Sequence, residues 1–326
     1  MKAGNLSLVK NINNSLVWSY VAQHAGASIT EMAKKIGLSF PTVNRALEKG
    51  LEHGIIAQGE VNNSAVGRKP QIYKLNKNFA KILCIAIYDG YIKYELKDFL
   101  GETIEAGEYT KVRKDIVDDL IEIINWAVRK FKKIDLAALS IAGVIAGPVM
   151  VESCTYPVLN GMNLCDKLFF ITGVKVVMEN NMRNLGYTAK ANTNNKEEKT
   201  VSVIRFSKEG VGNCNIIRGK IQRGNGGFAG EVGFIPFEVN DMKKPDIYAK
   251  IIISVIALVA PHELILYNEL EKISDEDILS LVKKSMPMYA IPKVIAKHSC
   301  YDDQMEGIYL MGRGYLMALM TQEKNK

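Results

Sequence analysis

The sequence predicts an α/β protein with an N-terminal winged helix-turn-helix followed by a two-lobed α/β body. Two short amphipathic segments on either side of Gly37 have the length and the turn of a helix-turn-helix. Beyond residue 80, strand-like and helical segments alternate, with the strands in two clusters. The chain has 326 residues, so about 250 remain for the body, enough for one or two lobes with a large core.

The first helix of the pair is predicted over Ser28–Ile36. Its apolar residues share one face: Ile29, Met32, Ala33 and Ile36. Gly37 then ends the helix. Ser39 is a favourable N-cap for a second helix, and Pro41 lies in the first turn, where a missing N–H costs little.

The second helix has an apolar and a polar side. The residues predicted to point inward are Val43, Ala46, Leu47 and Leu51. Those left outside are Thr42, Asn44, Arg45 and Lys49. A helix that buries one side and presents Asn, Arg and Thr near its N-terminal end suits the major groove of DNA. We therefore expect these outward residues, together with Ser39 and Pro41, to contact double-stranded DNA.

Two short strands are predicted near residues 55–60 and 71–75, and the segment between them has a basic tip formed by Arg68 and Lys69. A narrow minor groove has an enhanced negative potential that attracts arginine. We expect Arg68 to enter the minor groove or to bind phosphate there, with Lys69 beside it. The alternatives are a solvated loop, or an arginine that docks this module onto the body.

The charge distribution also favours DNA as the partner. Residues 1–80 carry ten basic and four acidic side chains, a net charge of +6, whereas the other 246 residues carry a net charge of +1. Phosphate neutralisation supplies most non-specific affinity for DNA. The alternative is a basic helical module that binds a protein or nothing.

Targeting signals and disulfide patterns are not visible in the sequence. The N-terminal apolar residues are interrupted by Lys10 and several asparagines, and the longest apolar run, Ile251–Ala260, is about half the ~20 residues that span a bilayer. The five cysteines are scattered, without C-x-x-C spacing. We therefore expect a protein of the reducing cytoplasm, without a membrane partner.

In the body, a hairpin is predicted across Asp89-Gly90, which is a strong turn signal. The strands expected are 82–87, 91–96, 136–141, 174–178, 201–206 and 213–217, the last two as a second hairpin, and the helices are 116–131, 247–260, 275–286 and 305–319.

A glycine-rich stretch identifies a family. Gly210-Val211-Gly212 follows a strand, the run from Gly224 to Gly233 closes the stretch, and Glu179-Asn180-Asn181 precedes it by some thirty residues. In this order and spacing the motifs resemble the ROK family (repressor, open reading frame, kinase). The segment Gly67-Arg68-Lys69-Pro70 resembles the end of the DNA-binding part of ROK repressors, and Gly307, Gly312 and Gly314 resemble the C-terminal segment of the family.

The resemblance implies an actin-like (ribonuclease H-like) fold shared by sugar kinases and sugar-responsive transcription factors. It implies three parts: a DNA-binding domain over residues 1–78, a small lobe over 79–178 plus 303–326, and a large lobe over 179–302. The large lobe would hold the ligand cleft and a dimer interface.

Three departures from the kinase pattern predict that no catalytic residues remain. The general base would stand at position 181, where an asparagine cannot accept a proton from a sugar hydroxyl, and that assistance is typically worth ~10²–10⁴-fold. Lys208 and Glu209 replace the residues that cradle phosphate. The first hairpin, residues 87–91, lacks the paired glycines for a nucleotide. We expect no nucleotide or other cofactor.

A metal site is not expected either. The resemblance implies a zinc-binding histidine at position 234 and cysteines shortly after it, but Phe234 and a cysteine-free segment, residues 237–241, stand there. The four histidines, His24, His53, His262 and His298, are interpreted as surface or packing residues.

The resemblance places sugar-binding side chains at Asn180, Asn181 and Glu231. Val158 and Met162 stand where the family often has Asn and Trp, and each lost hydrogen bond to a sugar hydroxyl weakens binding by ~0.5–1.5 kcal/mol. A smaller or less polar effector than a hexose is one interpretation, and other contacts or ligand-independent repression are the alternatives. Glu231 has a structural alternative, as a carboxylate that accepts backbone N–H groups at a turn.

Taken together, the sequence predicts a transcriptional regulator with a catalytically inactive ligand-sensing body. A repressor of carbohydrate-related genes is the interpretation we favour. The expected partners are a DNA operator, a small-molecule effector such as a sugar or sugar derivative, and a second copy of the chain, because one recognition helix reads too few base pairs to select a site. The alternatives are a ligand-independent dimeric repressor and an active carbohydrate kinase.

Overall fold

The computed structural model describes residues 4–24, 26–59, 70–110, 115–153, 155–195, 197–236 and 245–322. Its N-terminal part has three helices, α1 (Gly4–Gln23), α2 (Ile29–Ile36) and α3 (Phe40–Glu52), and three short strands, β1 (Ala27–Ser28), β2 (Ile56–Gln58) and β3 (Ile72–Leu75). The strands pair antiparallel, with β3 in the centre. We call the described residues up to Leu75 the head.

Helices α2 and α3 begin and end close to where the sequence predicts. The Oγ atom of Ser28 accepts the N–H of Glu31 at 3.2 Å, and Gly37 ends α2 in the left-handed conformation with φ of 74°. The Oγ atom of Ser39 accepts the N–H of Thr42 at 3.4 Å and so begins α3. Three of the four residues predicted to point inward are buried and the fourth is half-buried: Val43, Ala46, Leu47 and Leu51. The sequence did not predict α1.

The first half of the body contains strands β4 (Ile82–Ile87), β5 (Ile92–Lys97), β6 (Thr103–Tyr109), β7 (Leu136–Ile141), β8 (Val144–Ala146), β9 (Val149–Glu152) and β10 (Val176–Asn180), and helices α4 (Ile116–Phe131) and α5 (Leu164–Thr172). Five of these strands form the first sheet, in the order β10-β7-β4-β5-β6. The hairpin predicted across Asp89-Gly90 is confirmed, because β4 and β5 pair antiparallel there. The helix α4, capped by Asp115, confirms another prediction.

The second half of the body contains helices α6 (Asn181–Asn192), α7 (Pro245–Val259), α8 (Asp275–Ser285) and α9 (Tyr301–Gln322), and strands β11 (Thr200–Ser207), β12 (Gly210–Ile217), β13 (Lys220–Ile221), β14 (Glu263–Asn268) and β15 (Lys293–Lys297). The strands form the second sheet, in the order β13-β12-β11-β14-β15. The predicted hairpin β11–β12 is confirmed. The apolar run Ile251–Ala260, within the helix predicted over residues 247–260, lies mainly in α7, which packs in the core beside this sheet.

Two helices lie between the sheets. The last helix, α9, packs on β4 and β7 of the first sheet, whereas α6 packs on β11 and β12 of the second, and the two helices pack on each other. Gly307 permits this approach, because a Cβ atom there would lie only 1.8 Å from the backbone oxygen of Asn184. A residue with any side chain at position 307 would force α6 and α9 apart.

The head and the first sheet share one hydrophobic core. Trp18 of α1 is fully buried, its Nε1–H donates to the backbone oxygen of Ala46 at 2.8 Å, and it belongs to the same buried cluster as Ile82 of β4 and Leu316 and Met317 of α9. The head is therefore packed onto the body through α1 and α9. Within the described part of the chain, none of the helices has the length and apolar character needed to cross a membrane.

Candidate functional site

The exposed face of α3 carries the predicted DNA-contacting residues together. Ser39, Pro41 and Arg45 are exposed, and Thr42, Asn44 and Lys49 are half-buried. The hydroxyls of Ser39 and Thr42 lie 2.8 Å apart, and the amide of Asn44 donates to Glu48 at 2.7 Å. Asn44 must therefore exchange this partner if it is to hydrogen-bond a base edge. Arg68 and Lys69, at the tip of the predicted wing, lie outside the described residues.

A cleft in the body brings together the three predicted ligand-binding residues. One cavity of about 220 Å³ is lined by Asn180, Asn181 and Glu231, together with Gly143 and the first four residues of β12. The cavity lies where the end of the first sheet, the N-terminus of α6 and the β11–β12 hairpin meet. This volume lies below the usual ~300–1,000 Å³ of small-molecule pockets, so the cleft is narrow in this conformation.

Asn180 is committed to holding the fold at this point. Its Oδ1 accepts the backbone N–H groups of Met182 at 2.8 Å and Arg183 at 3.3 Å, and its Nδ2 donates to the oxygen of Gly143 at 2.7 Å. These bonds cap α6 and tie it to the chain that follows β7. Asn180 therefore shapes the cleft, and its side chain is only 6% exposed.

Asn181 has more freedom than its neighbour. It is half-buried, and its Oδ1 accepts the N–H of Met182 at 2.8 Å. Among the described residues, its Nδ2 has no hydrogen-bond acceptor, so the amide can donate to a molecule in the cleft.

Glu231 lies at a turn, where its structural alternative would have the carboxylate accept backbone N–H groups. It precedes a short 3₁₀ turn at Val232–Phe234, but its side chain makes no capping hydrogen bond there. Burial raises the pKa of the Glu231 carboxyl above its ordinary value, the cation of Arg183 partly opposes this rise, and Glu152 adds to it. Its carboxyl group is a half-buried acceptor on the cavity wall.

A partly buried ion-pair cluster beside the cleft was missed by sequence reasoning. Glu179 pairs with Arg183 at 3.0 Å and with Arg223 at 2.5 Å, and Arg183 also donates to the backbone oxygen of Gly227. We call Glu179, Arg183 and Arg223 the ion-pair cluster. It holds the glycine-rich loop against α6. Because Glu179 belongs to β10 and only Arg183 to α6, the i, i+4 rule for helices could not indicate this pair.

The position of the predicted phosphate loop is occupied by another ion-pair network. Arg205, buried on β11, bonds Glu269 through Nε at 2.9 Å and Nη2 at 2.7 Å, and its Nη1 lies 3.7 Å from Glu209. Glu209 also lines the cavity with Asn181. A phosphate group arriving here would meet a carboxylate, although Arg205 balances part of its charge.

Stacked tyrosines lie at the predicted nucleotide hairpin. The rings of Tyr88 and Tyr91 are 4.7 Å apart and nearly parallel, and the hydroxyl of Tyr88 donates to Gln304 of α9 at 3.0 Å. Gln304 in turn donates to the hydroxyl of Ser140 at 2.9 Å. These contacts connect the first hairpin with α9 and β7.

The positions implied for zinc and for additional sugar contacts carry other chemistry. Phe234 is largely exposed and lies beside Phe228, with ring centroids 5.1 Å apart, while residues 237–241 lie outside the described residues. The described part of the chain has no group of three or more His, Cys, Asp or Glu arranged to hold a metal ion. Met162 packs against the core of the first sheet and Val158 is exposed.

Comparisons with known proteins find a match to a family model and similarity to curated repressors. Residues 91–247 match the ROK family. The xylose repressor of Caldicellulosiruptor bescii is 28% identical over 250 residues, and the match covers 73% of this chain but only 62% of that repressor.

Two solved structures show the fold. A ROK family transcriptional regulator described as a homologue of the E. coli Mlc protein superposes with a TM-score of 0.78 at 14% identity, covering 96% of this chain and 98% of its own. A ROK family glucokinase from Streptomyces griseus, in complex with glucose and AMPPNP, superposes with a TM-score of 0.56 at 15% identity, covering 72% of this chain and 99% of its own. The mixed α/β, actin-like fold expected from the sequence is therefore confirmed.

Proposed function

Because the chain carries a ROK family domain, matched over residues 91–247, we propose that it is a DNA-binding transcriptional repressor whose body senses a carbohydrate. The observation that carries this proposal is the head itself, with its exposed polar face on α3, packed onto a body of this family. A regulator superposes over 96% of the chain, whereas a glucokinase of the same family covers 72%.

The head is proposed to be a winged helix-turn-helix in which α3 enters the major groove. Arg45, Asn44 and Thr42 would meet base edges or flanking phosphates, Ser39, Pro41 and Lys49 would lie against the backbone, and Arg68 and Lys69 would reach from the wing. Since a two-fold operator mirrors a two-fold protein, the active species is proposed to be a homodimer.

The effector is proposed to be a sugar or sugar derivative held in the cleft by Asn181 and Glu231, on a floor shaped by Asn180. The name of the xylose repressor relative supports a pentose as the first candidate. Ligand would change the closure of residues 79–178 and 303–326 on residues 179–302, and so the spacing of paired heads on DNA.

We propose that the body binds sugar without phosphorylating it. Asn181 cannot act as a general base, and Glu209 places a carboxylate where phosphate would lie. The missing general base affects activation of the sugar hydroxyl, and the carboxylate of Glu209 affects phosphate binding, so the two changes concern different requirements of phosphoryl transfer.

The test is a gel-shift titration of the purified protein on the DNA upstream of its own gene, with and without xylose, glucose and other sugars. The expected result is salt-dependent binding that one sugar weakens. Binding that no sugar changes would favour the ligand-independent repressor, and the absence of any sequence-specific binding would contradict the proposal.

A further inference from the structure

A second cavity lies on the other side of the ion-pair cluster. It measures about 540 Å³, is open to solvent on one side, and is bordered by the β8–β9 hairpin, the start of α5, strand β10 and the C-terminal half of α9. It shares no lining residue with the cleft described above. Its volume falls in the range of small-molecule sites in proteins.

The walls of this cavity are mostly apolar, and its charged lining residues are Glu179, Asp166 and Arg223. Ile145, Pro148, Met178 and Met311 contribute apolar surface. Arg223 donates to the carboxylate of Glu179 at 2.5 Å and to the hydroxyl of Tyr187 at 3.0 Å, whereas Asp166 lies at the start of α5, where its carboxylate accepts the side-chain N–H of Asn163 at 2.6 Å. A cavity with mostly apolar walls and a hydrogen-bonded polar group fits an amphipathic molecule.

The ion-pair cluster leaves one cationic side chain accessible in the cavity. One carboxylate, Glu179, faces two guanidinium groups, so the cluster has an excess of one positive charge. The side chains of Glu179 and Arg183 are 6% and 3% exposed, whereas that of Arg223 is 49% exposed. The excess charge is thus accessible at Arg223.

Arg223 also has donors to spare. Both of its hydrogen bonds to described residues are made through Nη2. A guanidinium has five N–H donors in a planar fork that matches a carboxylate, so Nη1 and Nε can serve a bound anion.

We propose that this cavity binds a small organic acid, with its carboxylate on Arg223 and its apolar part against Met178 and Met311. The occupant would lie beside Gly314 and Tyr315 of α9, next to Leu316 and Met317, which pack in the core shared with the head. Binding of such an acid is independent of whether the cleft takes a sugar or the head takes DNA.

The experiment uses the full chain labelled with ¹³C in its methionine methyl groups. The signals of Met178 and Met311 are assigned through Met178→Leu and Met311→Leu, and Met288, which lies near the second sheet, serves as a remote reference. The probe is 3-phenylpropionate, and its neutral analogue 3-phenylpropionamide is the matched control. We expect the acid to shift the signals of Met178 and Met311 in a saturable manner, with Met288 unchanged, and the amide to bind at least about tenfold more weakly.

Two variants test the two ends of the cavity. Arg223→Gln should weaken binding of the acid about tenfold or more, while Glu179 keeps Arg183 as its partner. Gly314→Leu should block binding by filling space, since a Cβ atom at this exposed helical position meets nothing within 4 Å and the variant should fold. If Arg223→Gln fails to fold, the Gly314→Leu variant and the neutral amide still test whether the cavity binds the acid.

Several results would overturn the proposal. One is the absence of shifts with the acid at millimolar concentration. The others are equal titration by the amide, shifts confined to methionines elsewhere, and unchanged affinity in Gly314→Leu.

Discussion

The amide side chain of Asn181 bears on both hydrogen bonding and catalysis in the cleft. Asn181 occupies the first residue of α6 on the wall of the cleft, and its oxygen already accepts the N–H of Met182. An aspartate could make the same bond and in addition accept a proton. The position of Asn181 could be located from the sequence, because the motif Glu179-Asn180-Asn181, which resembles the ROK family, is contiguous in the chain.

We predict that neither the native chain nor Asn181→Asp phosphorylates a sugar. The substitution restores a base, but Glu209 still lies in the cavity and Arg205 remains paired with Glu269. The measurement is ADP release with a panel of sugars, compared with a control without sugar. Sustained sugar-dependent release by the native protein would show that the body is an enzyme.

For Arg45, exposed on α3, truncation to alanine should weaken operator binding by ~1–3 kcal/mol if the guanidinium makes a bidentate base contact. Gel shifts at fixed salt measure this. The matched control is Arg129→Ala, which removes an exposed arginine from α4 of the body and should leave affinity unchanged. Equal affinities for the native protein and Arg45→Ala would refute this placement of the recognition surface.

Two carboxyl groups should affect the pH dependence of stability with opposite signs. Burial raises the pKa of Glu231 above its ordinary 4.5, so its folded state holds the proton more tightly, and stability falls as pH rises from about 4.5 through the folded pKa. Although burial alone would raise the pKa of Glu269, the Arg205 guanidinium lowers it overall, so the stability that this group contributes is present above about pH 4.5 and is lost as pH falls.

Thermal melts of Glu231→Gln and Glu269→Gln between about pH 4 and 7 measure both effects. Relative to the native protein, Glu231→Gln should gain stability as pH rises, and Glu269→Gln should lose it. The same sign for the two variants would show that the assigned environments are wrong.

At the scale of secondary structure, regular patterns were predictable and irregular ones were not. Helices α2 and α3 have serine caps and a single apolar face, so their limits could be read from sequence. In α1, by contrast, apolar residues also lie on the solvent side, and no single stripe marks the helix; the exposed ones are Leu8, Val9, Ile12 and Leu16. The edge strand β6 was missed because four of its seven residues are Thr, Glu or Gly.

Helices α6 and α9 provide a matched pair of glycine substitutions. Gly307→Ala should destabilise the protein by ~1–3 kcal/mol, because its Cβ atom would overlap the backbone of α6. Gly314→Ala, in the same helix but facing open space, should stabilise it by ~0.5–1 kcal/mol through the better helix propensity of alanine. Denaturant unfolding compares the two, and a stabilising Gly307→Ala would mean that the helices do not pack this closely.

At the scale of the whole molecule, the two-sheet architecture followed from the alternation of strands and helices, but contacts between distant segments could not be predicted. Arg223 lies 44 residues from Glu179 along the chain, and Glu269 lies 64 residues from Arg205. The first pair depends on how the two sheets face each other, and the second on β11 and β14 being neighbours in one sheet, and no local pattern encodes either. The predicted cleft residues were brought together because Glu179–Asn181 and the glycine-rich loop both border α6.

Assembly is a property of this same scale. We predict a dimer at micromolar concentration, because a symmetric pair of heads doubles the number of base pairs read. Sedimentation equilibrium gives the mass directly. A monomer that nevertheless binds its operator tightly would contradict the two-fold arrangement.

Trp18 and Ile82 share a core with Leu316 and Met317. This shared core affects whether the head can be exchanged between regulators. A head that hung from a tether could be transplanted between proteins by cutting at the connecting segment. Here the excised head would leave its own apolar side and that of α9 in water. A chimaera that borrows another protein's head must therefore borrow or rebuild the matching surface of α9, so specificity for DNA and the C-terminal helix are expected to diverge together.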